Sequence, residues 1–322
     1  MNKLKYLIAN LLDLFFVPIT FLSTLWLRII RRIGISRTPA SRFIFRKVGI
    51  YPISDHFYEP LYHLSQLSRP LHTKRNLSGI DWNMEEQMSI LNRFNYSEEL
   101  MRFPMEKVEA NQYWFNNVSF GPGDSEYLYS IIRLFKPERI IEVGSGFSTL
   151  MTLAAVAQNR KEDKTYNCII TCIEPYLQPW LEKLEIDLVR KRVENVDHRI
   201  FEELKANDIL FLDSSHIIRP QGDVNDLYLE VLPVLKPGVL VHSHDIFTPD
   251  DYPERWFTQL VRMWNEQYLL EAFLSFNHDF RIIGSLHFLS SRYPDALCEK
   301  CPVLRKVMPE FKPGSFWIAR NR

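Results

Sequence analysis

The sequence of 322 residues has few cysteines and no excess of either charge. Its four cysteines form two dissimilar pairs: Cys168 and Cys172 lie in an apolar run, whereas Cys298 and Cys301 form a lone C-x-x-C. Such pairs match the four ligands of a zinc site poorly, and we interpret them as reduced thiols of a cytosolic protein. The 39 basic and 39 acidic residues balance, which argues against a nucleic-acid-binding protein. The sequence contains no internal repeat or low-complexity tract.

Apolar residues are plentiful enough for a large core. Hydrophobic residues make up 46% of the chain and aromatic residues 13%, which excludes wholesale disorder. The length predicts one catalytic domain of about 200 residues with an appendage. We divide the chain into a basic, hydrophobic N-terminal segment (1–50), a helical cap or linker region (51–118) and the catalytic domain (119–322).

The zero net charge hides a basic N-terminal segment. Residues 1–50 contain one acid, Asp13, and nine basic residues, which gives this segment a formal charge of +8 and the remainder −8. The basic residues are Lys3, Lys5, Arg28, Arg31, Arg32, Arg37, Arg42, Arg46 and Lys47. A basic segment on an acidic body favours an anionic partner, and a membrane surface is the obvious one.

Residues 11–30, LLDLFFVPITFLSTLWLRII, are apolar on all sides. As a helix they would be about 30 Å long, which matches a bilayer core. Asp13, Pro18 and Arg28 oppose a spanning helix, and the strictly apolar stretch 14–27 is short for one. We predict that residues 1–47 contact a membrane, by a spanning or an interfacial helix, with the protein at the cytoplasmic face of the inner membrane. A buried helix or an oligomer contact is the alternative.

From about Phe120 the sequence alternates between strand-like and helix-like segments. The apolar runs RIIEV, CIITCIE, DILFLD and VLVHSHD predict strands, and FRIIGSLHFL and SFWIAR add two candidates near the C-terminus. Short buried strands separated by helices predict a mostly parallel sheet with helices on both faces. Predicted helices lie at 148–159, 177–184, 224–235 and 255–268.

A glycine-rich turn follows the first strand of this region, in the segment Glu142-Val-Gly-Ser-Gly-Phe-Ser-Thr149. Gly144 and Gly146 allow the backbone to approach a ligand where a side chain would clash. The third glycine of the dinucleotide fingerprint is missing, which argues against NAD. Glu142 is placed to accept hydrogen bonds from a ligand ammonium group, and Glu174 at the tip of the second strand suits two ribose hydroxyls. A tight turn without a ligand is the alternative.

Titratable side chains end the next two strands. Asp213 is followed by His216, and His244 by Asp245, at the tips of neighbouring parallel strands. The two aspartates are therefore expected to converge, where they suit Mg²⁺ or a similar cation. A histidine nearby can remove a proton from a bound hydroxyl. His242 lies on the same strand face as His244.

The E-x-G-x-G segment resembles motif I of class I S-adenosylmethionine-dependent methyltransferases, and the resemblance covers residues 120–322. It implies a Rossmann-like, doubly wound α/β fold with a mostly parallel seven-stranded sheet, here with an N-terminal hydrophobic, helical extension. It also implies S-adenosylmethionine as cofactor and places Asp197 at the adenine. The implied cofactor-binding residues are Glu142, Gly144, Ser145, Gly146, Ser148, Glu174, Asp197 and Asp213.

The D-x-x-H and H-D patterns resemble a subgroup related to metal-dependent sugar O-methyltransferases. This resemblance implies catalytic roles for Asp213, His216 and His244, with His216 as the general base. It implies a divalent cation, Mg²⁺ or another, on Asp213, His244 and Asp245. Those enzymes carry a Glu-Asp or Asp-Asn pair where this chain has His244-Asp245, and an imidazole ligand favours softer ions.

The predicted function is O-methylation of a sugar, a glycan or another small hydroxyl acceptor, with no nucleic-acid partner. The loop PDDYPERW offers Asp250, Asp251 and Glu254 to a polyhydroxylated substrate, or is simply solvated. Two alternatives stay open: a non-catalytic S-adenosylmethionine-binding or membrane-tethered scaffold, and a related enzyme with hydroxylase-like chemistry.

Overall fold

The structure is a computed structural model that describes residues 3–56, 58–176 and 179–321. The chain forms two compact units, Met1–Pro70 and Leu71–Arg322. The division into 1–50, 51–118 and 119–322 stays a prediction, but residues 71–118 are grouped with the larger unit.

The smaller unit contains two helices, α1 (Lys3–Ile33) and α2 (Pro39–Val48). Short 3₁₀ turns lie at Ile35–Arg37 and Leu64–Gln66. The segment Leu4–Ile33 is long and apolar enough to cross a membrane, and none of its apolar window is buried within the protein. The helix α2 ends at Gly49, whose φ of 78° favours glycine. The predicted N-terminal hydrophobic helix is therefore confirmed.

The larger unit is built on a seven-stranded sheet of order β3-β2-β1-β4-β5-β7-β6. The strands β1 to β5 pair in parallel, whereas β7 pairs antiparallel with β5 and β6. This arrangement confirms the predicted Rossmann-like, mostly parallel fold. The strands are β1 (Arg139–Val143), β2 (Ile169–Ile173), β3 (Asp187–Val189), β4 (Ile209–Leu212), β5 (Leu240–Ser243), β6 (Phe280–Ser285) and β7 (Phe316–Arg320).

Helices cover both faces of the sheet because side chains alternate along each buried strand. In β4, Ile209 and Phe211 belong to one apolar cluster, and Leu210 and Leu212 to the other. The helices of this unit are α3 (Met84–Arg93), α4 (Ser97–Leu100), α5 (Asp124–Phe135), α6 (Phe147–Glu162), α7 (Arg199–Glu202), α8 (Asp223–Asp226), α9 (Glu254–Thr258), α10 (Glu266–Leu274), α11 (Leu286–Arg292), α12 (Pro294–Lys300) and α13 (Leu304–Val307).

Three predicted helices need correction. The segment 224–235 is wound but changes pitch, with a π turn at Leu227–Val231 and a 3₁₀ turn at Leu232–Val234 after α8. The predicted helix 255–268 was wrong, because α9 ends at Thr258 and α10 begins at Glu266. Of the predicted helix 177–184, residues 177 and 178 lie outside the described residues, and a 3₁₀ turn covers Leu181–Lys183.

Candidate active site

The glycine turn connects β1 to α6 and lies against the end of β4. Gly144 has a φ of 81°, and a β-carbon there would overlap the carbonyl oxygen of Asp213. The amide of Asp213 donates to the carbonyl of Val143 at 2.8 Å, and the amide of Gly144 donates to Ile173 at 3.1 Å. Glycine is therefore required at 144, because the ends of the strands lie too close for any side chain.

Glu142 stabilises this turn from the protein interior. It is fully buried and accepts hydrogen bonds from the hydroxyls of Ser148 and Thr149 at the start of α6. Burial raises the pKa of Glu142 to about 7, although those hydroxyls oppose the shift. The carboxylate of Glu142 is engaged inside the protein, and its contact with a ligand ammonium group stays a prediction. Ser148 likewise acts on the turn through Glu142.

A small cavity of about 220 Å³ opens beside the turn and includes three predicted cofactor residues, Gly144, Glu174 and Asp213. Glu174 accepts hydrogen bonds from the amides of Tyr176 at 2.8 Å and Ser145 at 3.3 Å. The amide of Gly146 donates to the Thr149 hydroxyl at 3.1 Å, and a side chain at Gly146 would meet no atom of the described chain within 4 Å. This open space suits a ligand that passes over the turn.

Asp197 does not line this cavity, and its place at the adenine stays a prediction. The carboxylate of Asp197 is exposed and pairs with Arg199, two residues along the chain. Arg192 and Glu194, just before it, line the cavity instead. Residues of the predicted loop therefore line the cavity, and the 3₁₀ turn Val193–Asn195 separates Arg192 from Asp197.

His216 connects the tips of β4 and β5. Its Nδ1 lies 2.7 Å from Glu266 Oε2, and its Nε2 lies 3.3 Å from Asp213 Oδ1 and 3.8 Å from Asp245 Oδ2. The ring packs on Trp264 with centroids 4.2 Å apart. Burial would lower the pKa of His216, but Asp213 and Glu266 raise it well above its ordinary value. The surrounding carboxylates therefore favour the charged form of the buried imidazole.

Glu266 is a central residue of this network that the sequence did not indicate. Its carboxylate is almost fully buried and accepts hydrogen bonds from Ser214 Oγ at 2.7 Å and Tyr228 Oη at 3.0 Å, besides its pair with His216. Nothing marks Glu266 in the sequence, where it stood inside the wrongly predicted helix 255–268. It is the first residue of α10 and follows Asn265, whose amide donates to the His216 carbonyl.

His244 and Asp245 lie at the tip of β5. His244 Nε2 is 3.6 Å from Asp245 Oδ1. Burial lowers the pKa of His244, but Asp245, Asp213 and Asp124 outweigh it and raise the pKa. His216 and Asp245 both have left-handed backbones, with φ of 59° and 57°. Such strain in non-glycine residues is typical of functional sites.

Asp124, at the start of α5, also lies near this group and was not among the predicted site residues. Its carboxylate accepts hydrogen bonds from the amides of Gly314 at 3.0 Å and Ser315 at 2.7 Å. Burial raises its pKa, and the charge of His244 opposes this shift. Asp124 therefore fixes the segment before β7 and compensates His244.

A large cavity of about 850 Å³ lies next to this group. Asp124, His244 and Asp245 form part of its wall, whereas Asp213 lines the small cavity. His216 contacts both Asp213 and Asp245, so its imidazole joins the walls of the two cavities. The other wall carries aromatic and acidic side chains, namely Phe247, Asp250, Asp251, Tyr252, Glu254 and Trp256.

The predicted metal ligands Asp213, His244 and Asp245 are not among the described sets of three donors within 4.8 Å of one another, and the metal site stays a prediction. Among the described residues, the three donors that approach within 4.8 Å of one another belong to His198, Asp226 and Glu230. At the strand tips, the neighbouring acids raise the pKa values of His216 and His244. A ligating imidazole must be neutral, so a cation at His244 would displace any proton that the ring carries.

Comparison with known proteins agrees with this geometry. A family model described as a methyltransferase domain matches residues 141–246, which run from β1 to just beyond β5. An uncharacterized protein of Archaeoglobus fulgidus is 33% identical over 181 residues, which are 51% of this chain and 78% of that protein. The chain belongs to the class I S-adenosylmethionine-dependent methyltransferases. This confirms the predicted family, its enzymatic class and its methyl donor.

Solved methyltransferase structures resemble this methyltransferase at low identity. The plantazolicin methyltransferase BpumL in complex with SAH is 14% identical, with a TM-score of 0.34 over 62% of this chain and 82% of that one. The O-methyltransferase from Bacillus cereus in complex with SAH is 10% identical, with a TM-score of 0.36 over 74% and 91%. The methyltransferase MycE, in complex with Mg, SAH and mycinamycin VI, is 14% identical, with a TM-score of 0.32 over 59% and 47%.

Proposed function

We propose that this methyltransferase methylates a hydroxyl group of a small polyhydroxylated acceptor, a sugar or glycan unit, bound in the large cavity. The observation that carries the proposal is the pair His244–Asp245 on the wall of that cavity, linked through His216 to Asp213 in the small one. The large cavity has the volume of a small-molecule site.

The small cavity is the proposed cofactor site. Glu174 is placed to accept hydrogen bonds from the ribose hydroxyls, and the turn Gly144–Gly146 lets the donor approach the backbone. Asp213 lies at the edge nearest His216. S-Adenosylmethionine supplies an electrophilic sulfonium methyl group, so the side chains have only to orient the acceptor and remove its proton.

The pair His244–Asp245 is the proposed proton acceptor. A hydroxyl oxygen at about 2.8 Å from both His244 Nε2 and Asp245 Oδ1 fits their 3.6 Å separation. The acceptor oxygen forms a bond to the methyl carbon, the carbon–sulfur bond breaks, and the hydroxyl proton passes to this pair. His216 was predicted as the base, but both its ring nitrogens face carboxylates. We therefore assign it to orienting Asp213 and Asp245.

The far wall of the large cavity supports a sugar-like acceptor. Tyr252 and Trp256 present aromatic rings with centroids 6.3 Å apart, which can pack on the C–H face of a pyranose. Asp251 and Glu254 offer carboxylate oxygens to hydroxyl groups. Aromatic and acidic side chains together match a ligand with one apolar face and a polar rim.

The helix α1 supports a location at the cytoplasmic face of a membrane. Its large apolar side chains are exposed from Leu4 to Trp26, including Phe15 at 74% and Phe21 at 62%, whereas Ile30 near its end is buried. Arg31 and Arg32 lie in its last turn, where the positive-inside rule places the cytosol. The methyl donor is made in the cytosol, on the same side as the proposed active site.

Calorimetric titration of the full chain with S-adenosylmethionine tests the cofactor site. The protein is kept in lauryldimethylamine oxide, because a sugar detergent would compete for the proposed acceptor site. Glu174→Ala should weaken binding at least about tenfold, since it removes charged hydrogen bonds to a ligand. Glu185→Ala is the matched control, because Glu185 is an exposed acid paired with Arg160. No binding to folded wild-type protein would refute the cofactor site.

Methyl transfer from labelled S-adenosylmethionine to a panel of methyl pyranosides tests the acceptor. Product should form with EDTA present and fall at least about 100-fold in His244→Asn, which removes the proposed proton acceptor. Loss of product in EDTA with recovery in Mg²⁺ would show that a cation binds. Tight cofactor binding without any product would favour a scaffold.

A further inference from the structure

The last turns of α1 and the segment after it are strongly basic and lack acids. No Asp or Glu occurs between residues 14 and 54, whereas six arginines and one lysine do. Among the described ion pairs of this stretch, Arg31 alone has a partner, Glu59. The other basic groups therefore present an uncompensated positive charge, which is unusual for the surface of a chain with no net charge.

The helix α2 carries this charge beside exposed apolar side chains. Residues four apart lie above one another on a helix, so α2 presents three adjacent rows. One row is basic, Arg42 and Arg46; the next is mixed, Phe43 and Lys47; the third is apolar, Ile44 and Val48. The surface of α2 therefore changes from charged to apolar around its axis.

The apolar part of this surface is open to solvent. Ile44 is 53% exposed, Phe43 64% and Val48 63%, and Ile50 just beyond the helix is 63% exposed. On the opposite flank, the half-buried Phe45 contacts Tyr51, with ring centroids 5.9 Å apart. The apolar side chains of the amphipathic side are exposed to solvent.

We propose that α2 lies flat in the headgroup layer of an anionic lipid leaflet, with Phe43, Ile44 and Val48 in the acyl boundary and Arg42 and Arg46 at the phosphates. The observations that select an anionic bilayer are the charge complementarity and the neighbouring helix α1, which is long enough to span. Lys47 can extend its amine past the apolar side chains to the headgroups. This inference rests on the membrane location proposed above and adds a specificity for negative lipid.

The experiment uses the full chain reconstituted in vesicles with an environment-sensitive label on a single introduced cysteine. All four native cysteines are buried, which restricts labelling to the new site. Ile44→Cys reports α2, and Phe21→Cys in α1 reports the membrane location. In vesicles of phosphatidylcholine with 30% phosphatidylglycerol, both labels should show the blue-shifted emission of an apolar environment. In pure phosphatidylcholine, only the label at 21 should do so.

Removal of the basic side chains and addition of salt test whether charge holds α2 at the lipid. Replacing Arg42, Arg46 and Lys47 by Gln should reduce partitioning of α2 about 100-fold, since each basic residue near an anionic leaflet contributes roughly fivefold. At 1 M NaCl, where the Debye length is about 3 Å, the label at 44 should return to the emission seen in water. The label at 21 should change in neither experiment.

The two proposals fail in different ways. A label at 44 that stays in water in anionic vesicles, while the label at 21 is in lipid, overturns the role of α2 alone. Labels at both positions in water overturn the membrane location itself. Equal burial of residue 44 in both lipids shows an apolar contact without lipid specificity, and this also overturns the proposal.

Discussion

The two cavities of the larger unit are built by different means. The small cavity is shaped by backbone: Gly144 lies against the carbonyl of Asp213, and the walls follow from the ends of three parallel strands. The large cavity is shaped by charged side chains, which α5, β5 and the loop after β5 bring together. The first site is fixed by sterics and the second by a balance of ionised groups, so the two should respond differently to mutation and to pH.

The largest effect is expected at the point of closest backbone approach. Gly144→Ala places a β-carbon on the Asp213 carbonyl at a positive φ, and should destabilise the protein by about 3 kcal/mol or more and abolish cofactor binding. Chemical unfolding and calorimetric titration measure the two effects. Gly146→Ala is the matched control and should keep its stability within about 1 kcal/mol. A stable, cofactor-binding Gly144→Ala variant would show that this wall is not sterically fixed.

The charge balance is tested at Glu266. Glu266→Gln breaks a buried pair with His216 and should cost about 3 kcal/mol of stability. His216 has a raised pKa in the folded state, so the stabilisation is complete below its ordinary pKa and is lost as pH rises through the folded value. The loss in free energy of unfolding of Glu266→Gln relative to wild type, measured in urea, should therefore be larger at pH 6 than at pH 9.

Glu271→Gln provides the comparison for that pH dependence. Glu271 is a buried acid paired with Arg75, whose guanidinium does not titrate in this range. Its loss in free energy of unfolding should be the same at pH 6 and pH 9. If both variants show the same pH dependence, the loss in Glu266→Gln does not come from His216.

The third prediction concerns Glu142, a titratable residue that supports the glycine turn beside the small cavity. Glu142 has a folded pKa of about 7 against an ordinary 4.5, so the folded state loses relative stability as pH rises between these values. Glu142→Gln lacks this loss and should gain about 2–3 kcal/mol relative to wild type between pH 5 and pH 8. If the free energy of unfolding changes by the same amount in both proteins between pH 5 and pH 8, the raised pKa of Glu142 is refuted.

The smallest effect is expected at Asp197. Asp197→Asn should change the dissociation constant of S-adenosylmethionine less than about twofold, because the residue is exposed outside the small cavity. Glu194→Gln, in the cavity wall, should weaken binding several-fold. The reverse order in calorimetric titration would support the adenine role that the sequence suggested for Asp197.

The difference between the two cavities also explains which features the sequence could predict. The sheet and the glycine turn could be predicted because apolar runs and glycines are local signals; the same strands placed Asp213 and His216 beside Asp245. The sequence could not predict Glu266 and Asp124, because each joins the site from a distant helix and neither carries a local pattern. The charge of His216 and His244 could not be predicted for a related reason, because their pKa values depend on acids that only the folded chain brings near.

The contacts of Asp124 also bear on when the large cavity is completed during synthesis. It binds the amides of Gly314 and Ser315, and β7, which follows them, lies between β5 and β6 although both precede it in the chain. The wall of the large cavity is therefore finished only when the ribosome has added about 75 residues beyond Asp245, roughly 4–15 s of synthesis. The apolar helix α1 emerges long before that. Under the proposed membrane location, α1 would reach the bilayer before the large cavity of the same chain is complete.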